Sequence, residues 1–404
     1  MTRESPISIM RGEGERMARR SGRPPVPPPR RTYLRIVVPL ALVVGLAAAW
    51  CGVWYYAAAM ANRTVAAWMA SEAAAGRVYT CGSEGIAGFP FSIQVRCVQA
   101  AAAFKTNLPP FDLAAKDITF TAQIWRPTVL VGDVVGPVTV AEPGRAPSYV
   151  ANWTSARMRL NGLPPNAQAL SINVDHPHLD RGGGGGGASA LFTADDAQLD
   201  ARIVSGSIQN HPVVDVTLHF TSAAAPTVHQ LLAEPVRGEL EVVLRGFKDL
   251  EQKPLAARFR ELHDNGGAIE LKSFRVERAN TILVASGTLT VNGRGRLDGM
   301  LTVAVYGIEA LVPQLGIDRA IQQQIDRLTG AGQAEQGLQA LDRIMPGLGG
   351  MVRQGTTATV VDDIKKMGKP TQIDNKPAVA LPLRLADGAV YLGIIRIGEI
   401  PALF

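Results

Sequence analysis

Residues Ile36 to Ala61 form an unbroken run of 26 residues without a charged side chain, and this run limits what the chain can fold into more than any other feature. A hydrocarbon core about 30 Å thick is crossed by roughly 20 apolar residues in a helix, so the run predicts a transmembrane helix with room for tilt. Trp50, Trp54, Tyr55 and Tyr56 stand toward its far end, where amphipathic rings favour the headgroup level, and Arg30, Arg31 and Arg35 flank its near end. The positive-inside rule then places Met1 in the cytoplasm and everything after about Arg63 on the outer side. A cleaved secretory signal is the competing reading, because Ala57-Ala58-Ala59 and Ala59-Met60-Ala61 offer small-residue cleavage patterns. An ordinary signal has an apolar segment of about 7 to 15 residues and a small, polar cleavage region, whereas this run is longer and aromatic there. The uncleaved anchor is preferred, and both readings export the rest of the chain.

Charge follows the same division. The whole chain is formally +6, and residues 1–35 hold nine Arg against Glu4, Glu13 and Glu15, which is already +6. The exported part is therefore near neutral, and the basic tail reads as a topology signal with a weak attraction to anionic lipid rather than as a nucleic-acid surface. Pro24, Pro25, Pro27, Pro28 and Pro29 make that tail an extended, disordered spacer, with a docking site for a proline-reading domain as the alternative.

Of the three cysteines, Cys51 lies inside the apolar run and reads as a small apolar residue. Cys81 and Cys97 bracket a short exported segment. In an oxidising compartment they are expected to form a disulfide worth about 3 kcal/mol, two free thiols being the alternative. A metal site would need further ligands, and no His lies between them.

Past the run, Thr64 to Ala75 is rich in Ala, with Val65, Trp68 and Met69 at helical spacing, which predicts a stalk over 62–76 ending at Gly76. The pattern then changes to short alternating or continuous apolar stretches punctuated by Gly, Pro, Asn and Asp. Strands are predicted at Ser92 to Val98, Asp117 to Ile124, Val129 to Val134, Leu170 to Val174, Val213 to Phe220, Gly238 to Leu244 and Ile269 to Val276. Hairpins are predicted around Asn292-Gly293 and Asp387-Gly388. Helical content is expected to be minor and late, in Ile308 to Leu328 and more weakly in Glu335 to Val352, with a linker at Gly330 to Gly337. Gly182 to Gly187 marks a flexible connection that divides the exported region, 77–404. It lacks the Gly-Lys-Ser/Thr of a phosphate cradle.

Catalytic constellations are thin. Asp175-His176-Pro177-His178-Leu179-Asp180 is the densest group of candidate metal ligands, but Pro177 and the glycine run predict a loop, and the other His residues are scattered. Ser83-Glu84-Gly85 and Asp362-Asp363 have no partners at triad spacing. His263-Asp264 is followed by Asn265-Gly266-Gly267 and reads as a turn. No catalytic, cofactor or metal residue is assigned, and an enzyme is not expected.

The most specific segment runs from Gly76 to Cys97. Gly88 and Pro90 favour a turn, Phe89 and Phe91 supply bulky apolar groups, and the strand that follows puts Ile93 and Val95 on the side of Phe91. Together with the apolar run, the bracketing cysteines, Trp125-Arg126-Pro127, and the ending from Leu381-Pro382-Leu383 through Tyr391-Leu392-Gly393 to Gly398-Glu399-Ile400-Pro401, it resembles a bacterial envelope family catalogued as domain of unknown function 2125. The resemblance covers nearly all of the exported part and departs from the family at the six glycines. It implies no activity. Gly-Phe-Pro-Phe after an anchor, and strands such as Ala285 to Val291 leading to Gly295-Arg296-Leu297-Asp298-Gly299, are similar to the AsmA-like envelope proteins, which implies a long, curved antiparallel sheet, or an open barrel-like one, with an apolar face that handles lipid.

The residues themselves are compatible with that use. Val214, Val216, Leu218 and Phe220 alternate with Asp215, Thr217 and His219, giving one apolar and one wet face. A groove wall and a closed sandwich both show this alternation. The expectation is therefore a non-enzymatic, single-pass protein of the bacterial inner membrane, its main domain periplasmic, that binds lipid or another apolar envelope component. The alternative is a scaffold that holds an envelope protein near the membrane, and a hydrolase or metalloenzyme is the third reading.

Overall fold

The computed structural model describes residues 30–107, 109–162, 166–182, 189–228, 230–251, 253–315, 365–393 and 395–404. The proline-rich tail before Arg30, residues 183–187 of the glycine run, His229, the late helical pattern beyond Leu315, Asp362-Asp363 and the linker at Gly330 to Gly337 lie outside the described residues.

The chain divides into two units, Met1–Tyr55 and Tyr56–Phe404. The first contains most of the apolar run, in the opening part of helix α1 (Arg30–Ala74), which includes Pro39 and is long and apolar enough to cross a membrane. Arg30, Arg31 and Arg35 fall in its first turns.

The second unit begins with the last turns of α1 and is otherwise a sheet. After α1 come β1 (Arg77–Thr80), β2 (Ser83–Ala87), β3 (Ser92–Phe104), β4 (Phe111–Gln123) and β5 (Arg126–Ala141). They are followed by β6 (Pro147–Asn152), β7 (Ser155–Asn161), β8 (Ala169–Asp175), β9 (His178–Arg181), β10 (Ser189–Thr193), β11 (Asp196–Ser207), β12 (Asn210–Ala223) and β13 (Val236–Arg245). Helix α2 (Leu255–Asp264) precedes β14 (Ala268–Arg278), β15 (Thr281–Val291) and β16 (Leu297–Tyr306), and α3 (Ile308–Leu315) follows them. The end of the chain supplies β17 (Lys369–Ile373), β18 (Lys376–Ala386), β19 (Ala389–Leu392) and β20 (Ile395–Glu399).

These strands form one 20-stranded sheet, antiparallel at every pairing and not closed on itself. Most strands pair with the one before, as a meander built from hairpins does. At several positions two short strands share one long neighbour instead: β1 and β2 both lie beside β3, β6 and β7 beside β5, and β17 and β19 beside β18; in addition β9 pairs back with β6, and β11 with β8. The predicted strands fall within this sheet, apart from Ile124, which lies just past the end of β4, and the sheet extends most of them by several residues.

Three local expectations are corrected. Leu255-Ala256-Ala257-Arg258-Phe259-Arg260-Glu261-Leu262 is a run of mostly good helix formers after Pro254 and becomes α2, so helix is not confined to the end of the chain. His263-Asp264 closes that helix, with Asn265 as its C-cap, instead of forming a free turn. His178-Leu179-Asp180 lies in β9, paired with β6 and β10, and only His176-Pro177 is left between strands.

Candidate functional site

Residues directly opposite one another in an antiparallel ladder point to the same side of the sheet, so the register can be followed across it as rows. One row runs Ile86, Val95, Phe120, Gly132, Met158, Ile172, Leu199, Leu218, Leu240, Phe274, Ala285, Val303 and Leu381. The row beside it runs Ile93, Ala122, Leu130, Leu160, Leu170, Ala201, Val216, Val242, Leu271, Gly287, Leu301, Leu383 and Leu392. Neither contains a polar side chain. At ~4.8 Å between strands, the first row is about 55 to 60 Å long.

One irregularity keeps the rows apolar. Leu271 and Phe274 are three residues apart and would face opposite sides of a regular strand. A register shift between them, opposite Glu241 and Val242, sends both to the apolar side and leaves Lys272 to reach Glu241 and Asp215 on the other.

The opposite face is polar over the same strands. A row of Arg96, Thr119, Asp133, Arg157, Asn173, Gln198, His219, Glu239 and Arg275 crosses it. Its charges pair with one another or with neighbours: Arg157 Nε with Asp133 at 2.8 Å, Arg275 with Glu277 at 2.5 Å, and Arg96 with Asp117. Asp215, 4% exposed, accepts from Arg202 at 2.9 Å and Lys272 at 3.3 Å. The Arg202 guanidinium holds its carboxyl below the usual range against the opposing effect of burial, and Lys272 adds to the lowering.

Cover over the apolar face is uneven. From Val95 to Phe274 the residues of the first row are half-buried, and only Gly132 is buried. The far end is covered by α3: Ile308 is buried with Ala285, Val303, Val305, Leu381 and Leu392, and Leu311 and Met367 pack against that cluster. The largest fully buried side chains, Leu262 and Pro212, belong to neither row.

The turn singled out in the sequence opens this face. Gly88 has φ +101°, and a Cβ there would lie 2.6 Å from the Ser92 carbonyl oxygen, so glycine is required. Phe91 N and Ser92 N donate to Gly88 O at 3.2 and 2.9 Å, and the Phe89-Pro90 bond is cis. Phe89 and Phe91 do not sink into a core: they are 53% and 58% exposed, because a single sheet has no layer beneath its hairpin tips. Trp125, 60% exposed on the β4–β5 hairpin, reaches Phe91 with ring centroids 6.0 Å apart. At the other end of β3, Tyr79 of β1 meets Phe104 at 6.2 Å and stalk residue Trp68 at 4.8 Å. Glu72 of the stalk is ion-paired with Arg77 of β1 at 2.5 Å. Cys81 and Cys97 are disulfide-bonded, fixing the β1–β2 connection to β3.

Polar chemistry converges weakly. A pocket of about 190 Å³ lies over His219, Arg237, Glu239 and Arg275, below the size of a typical small-molecule site. His178 Nε2 lies 2.9 Å from Asp180 on β9, and Ser155 donates to Asp175 on β8, so these candidate ligands are engaged on separate strands. Among the described residues no three His, Cys, Asp or Glu side chains gather around one point that could hold an ion.

The apolar alternation of single strands was visible in the sequence, but the register that joins them into rows was not. The exposure of Phe91 and its contact with Trp125 also needed the structure, although the turn itself was signalled by Gly88 and Pro90. No curated protein and no solved structure matches the chain. Residues 54–401 match a family described as an uncharacterized protein conserved in bacteria, DUF2125, so the match takes in the last part of the apolar run and nearly the whole sheet. The chain belongs to that family.

Proposed function

We propose that this is a single-pass protein of the bacterial inner membrane whose sheet lies in the periplasm and binds or handles lipid, or another apolar envelope component, along its apolar face. The observation that carries the reading is the pair of unbroken apolar rows, half-buried over most of their length, on a sheet that does not close. Apolar surface of this extent on a soluble face is rare unless something occupies it. The Arg-rich flank supports the orientation, and the Cys81–Cys97 disulfide supports an oxidising compartment. Most charges on the polar face pair with one another, and the pocket that some of them line is only about 190 Å³, which favours a non-enzymatic role.

The test is photo-crosslinking from single positions in the full chain in its native membrane. Probes at Met158, Ile172 and Leu218 are expected to yield lipid adducts, and probes at Arg157, Asn173 and Thr217 on the other face are not. Equal labelling of both faces, or no lipid at either, sinks the proposal. Native mass spectrometry of gently extracted protein then identifies the bound species.

A scaffold role is favoured by a different observation. Among the described residues β1, β2, β10, β17 and β20 each pair with a single strand, leaving edges that a partner could extend. Protein adducts from probes at Gly85 or Gly398, without lipid adducts from the apolar rows, would select that reading.

A further inference from the structure

One end of the apolar face is closed by the chain itself. α3 follows β16 after a single residue, Gly307, so it folds straight back over the side from which Val303 and Val305 project. Ile308 is buried and Leu311 half-buried, while Glu309 and Ala310 between them are exposed, so one side of the helix faces the sheet. Beneath it Ala285, Val303 and Leu381, the last three members of the first row, are 4%, 8% and 6% exposed. Leu271, Phe274, Leu301 and Leu383 pack against the same cluster, so the cover begins at β14 and takes in both rows. Glu309 is ion-paired with Lys365 at 2.5 Å, and Met367 joins the cluster, so the chain entering β17 helps to hold the helix in place.

The rest of the first row has no such cover: among the described residues, no buried cluster includes a member from Val95 to Leu240. The strands that carry this stretch are paired on both sides, so their backbone donors and acceptors are used within the sheet, and neither row has a polar side chain. A protein partner brings about one hydrogen bond for every 100–200 Å² it buries and would find no counterpart here, whereas hydrocarbon asks for none. Acyl chains are therefore the occupant that the stretch fits. We propose that α3 is the stop of this site: acyl chains lie along the face from Val95 to Leu240, and Ile308 and Leu311 keep them from Ala285, Val303 and Leu381. The inference rests on the reading of the rows as a lipid site and adds where that site ends.

The experiment uses the full chain in proteoliposomes that contain phosphatidylethanolamine with a photoreactive diazirine in its acyl chain. Adducts are mapped by peptide mass spectrometry, so no probe disturbs the packing under α3. Adducts are expected at Val95, Met158, Ile172 and Leu218, and about tenfold fewer at Val303 and Leu381, since moving aside one buried Ile side chain is worth a factor of that order. Ile308→Ala with Leu311→Ala is expected to raise labelling of Val303 and Leu381 by a similar factor and to leave Leu218 unchanged. Leu311→Ala alone trims only the half-buried side chain and is expected to act in the same direction more weakly; it replaces the double variant if that one fails to unfold cooperatively in urea.

Equal labelling of Leu218 and Val303 in the wild-type chain, or no gain at Val303 in a folded variant, overturns the stop and leaves the lipid reading standing. No adduct at any of these positions, with the apolar run of α1 labelled in the same sample, overturns the lipid reading and the stop with it. The two failures are thus distinguishable.

Discussion

At the scale of single residues, Asp215 links three strands: it lies on β12, accepts from Arg202 on β11, and accepts from Lys272 at the irregularity of β14. Its folded pKa is depressed, so its contribution to stability is complete above the unfolded value of about 3.9 and disappears as pH falls through the folded value. Asp215→Asn is expected to lower stability by about 1 kcal/mol at pH 7, the partners being substantially exposed, and by progressively less as the pH is brought down through the folded value. Unfolding midpoints of both proteins, followed from pH 7 into the acid range, check it. Gly287 makes a different demand: its φ is +149°, and a Cβ would fall 2.2 Å from the Met300 carbonyl oxygen on the next strand. Gly287→Val forces backbone apart as well as adding bulk, and is expected to destabilise by about 3 kcal/mol in urea unfolding.

Among elements, the sheet edge at β1 and β2 depends most on a covalent tie. Replacing both Cys81 and Cys97 by Ser is expected to remove about 3 kcal/mol and to make the chain between Arg77 and Phe91 the first site of limited proteolysis, with the rest of the sheet still resistant. The same edge shows what sequence could and could not supply. The alternation of Val214 to Phe220 identified β12 and its two faces, and Cys81 and Cys97 were paired from compartment and spacing. β6, β7, β9 and β10 went unread because they are 4 to 7 residues long and are placed by pairing with half of β5 or with one another. Short windows carry too little periodicity for that. α2 went unread because its apolar residues are few, and its place is held by Leu262 and by Glu261, which accepts from Lys248 N at 2.6 Å and from Arg258 at 3.0 Å.

On the scale of the whole molecule, the proposed topology predicts that protease added outside spheroplasts degrades the sheet and leaves a membrane-held fragment ending near Arg63. The same protease added to inverted vesicles is expected to trim only the basic tail. Detection with antibodies against each end distinguishes the two results, and the reverse pattern would contradict a periplasmic sheet.

The meander order of the sheet bears on how such a protein reaches its compartment. Each strand from β12 to β16 finds its partner in the strand made just before it, so loop closures are short and pairing can keep pace with emergence. On the proposed topology, an exported region threaded outward through a translocation pore, stalk first while the basic tail stays inside, could then lay down its sheet one hairpin at a time without waiting for its carboxyl end. Chains arrested after Tyr306 are accordingly expected to protect β3 to β5 from protease as well as finished ones do. Secretion would thus proceed as progressive assembly, with little bare apolar strand exposed to the periplasm at any moment.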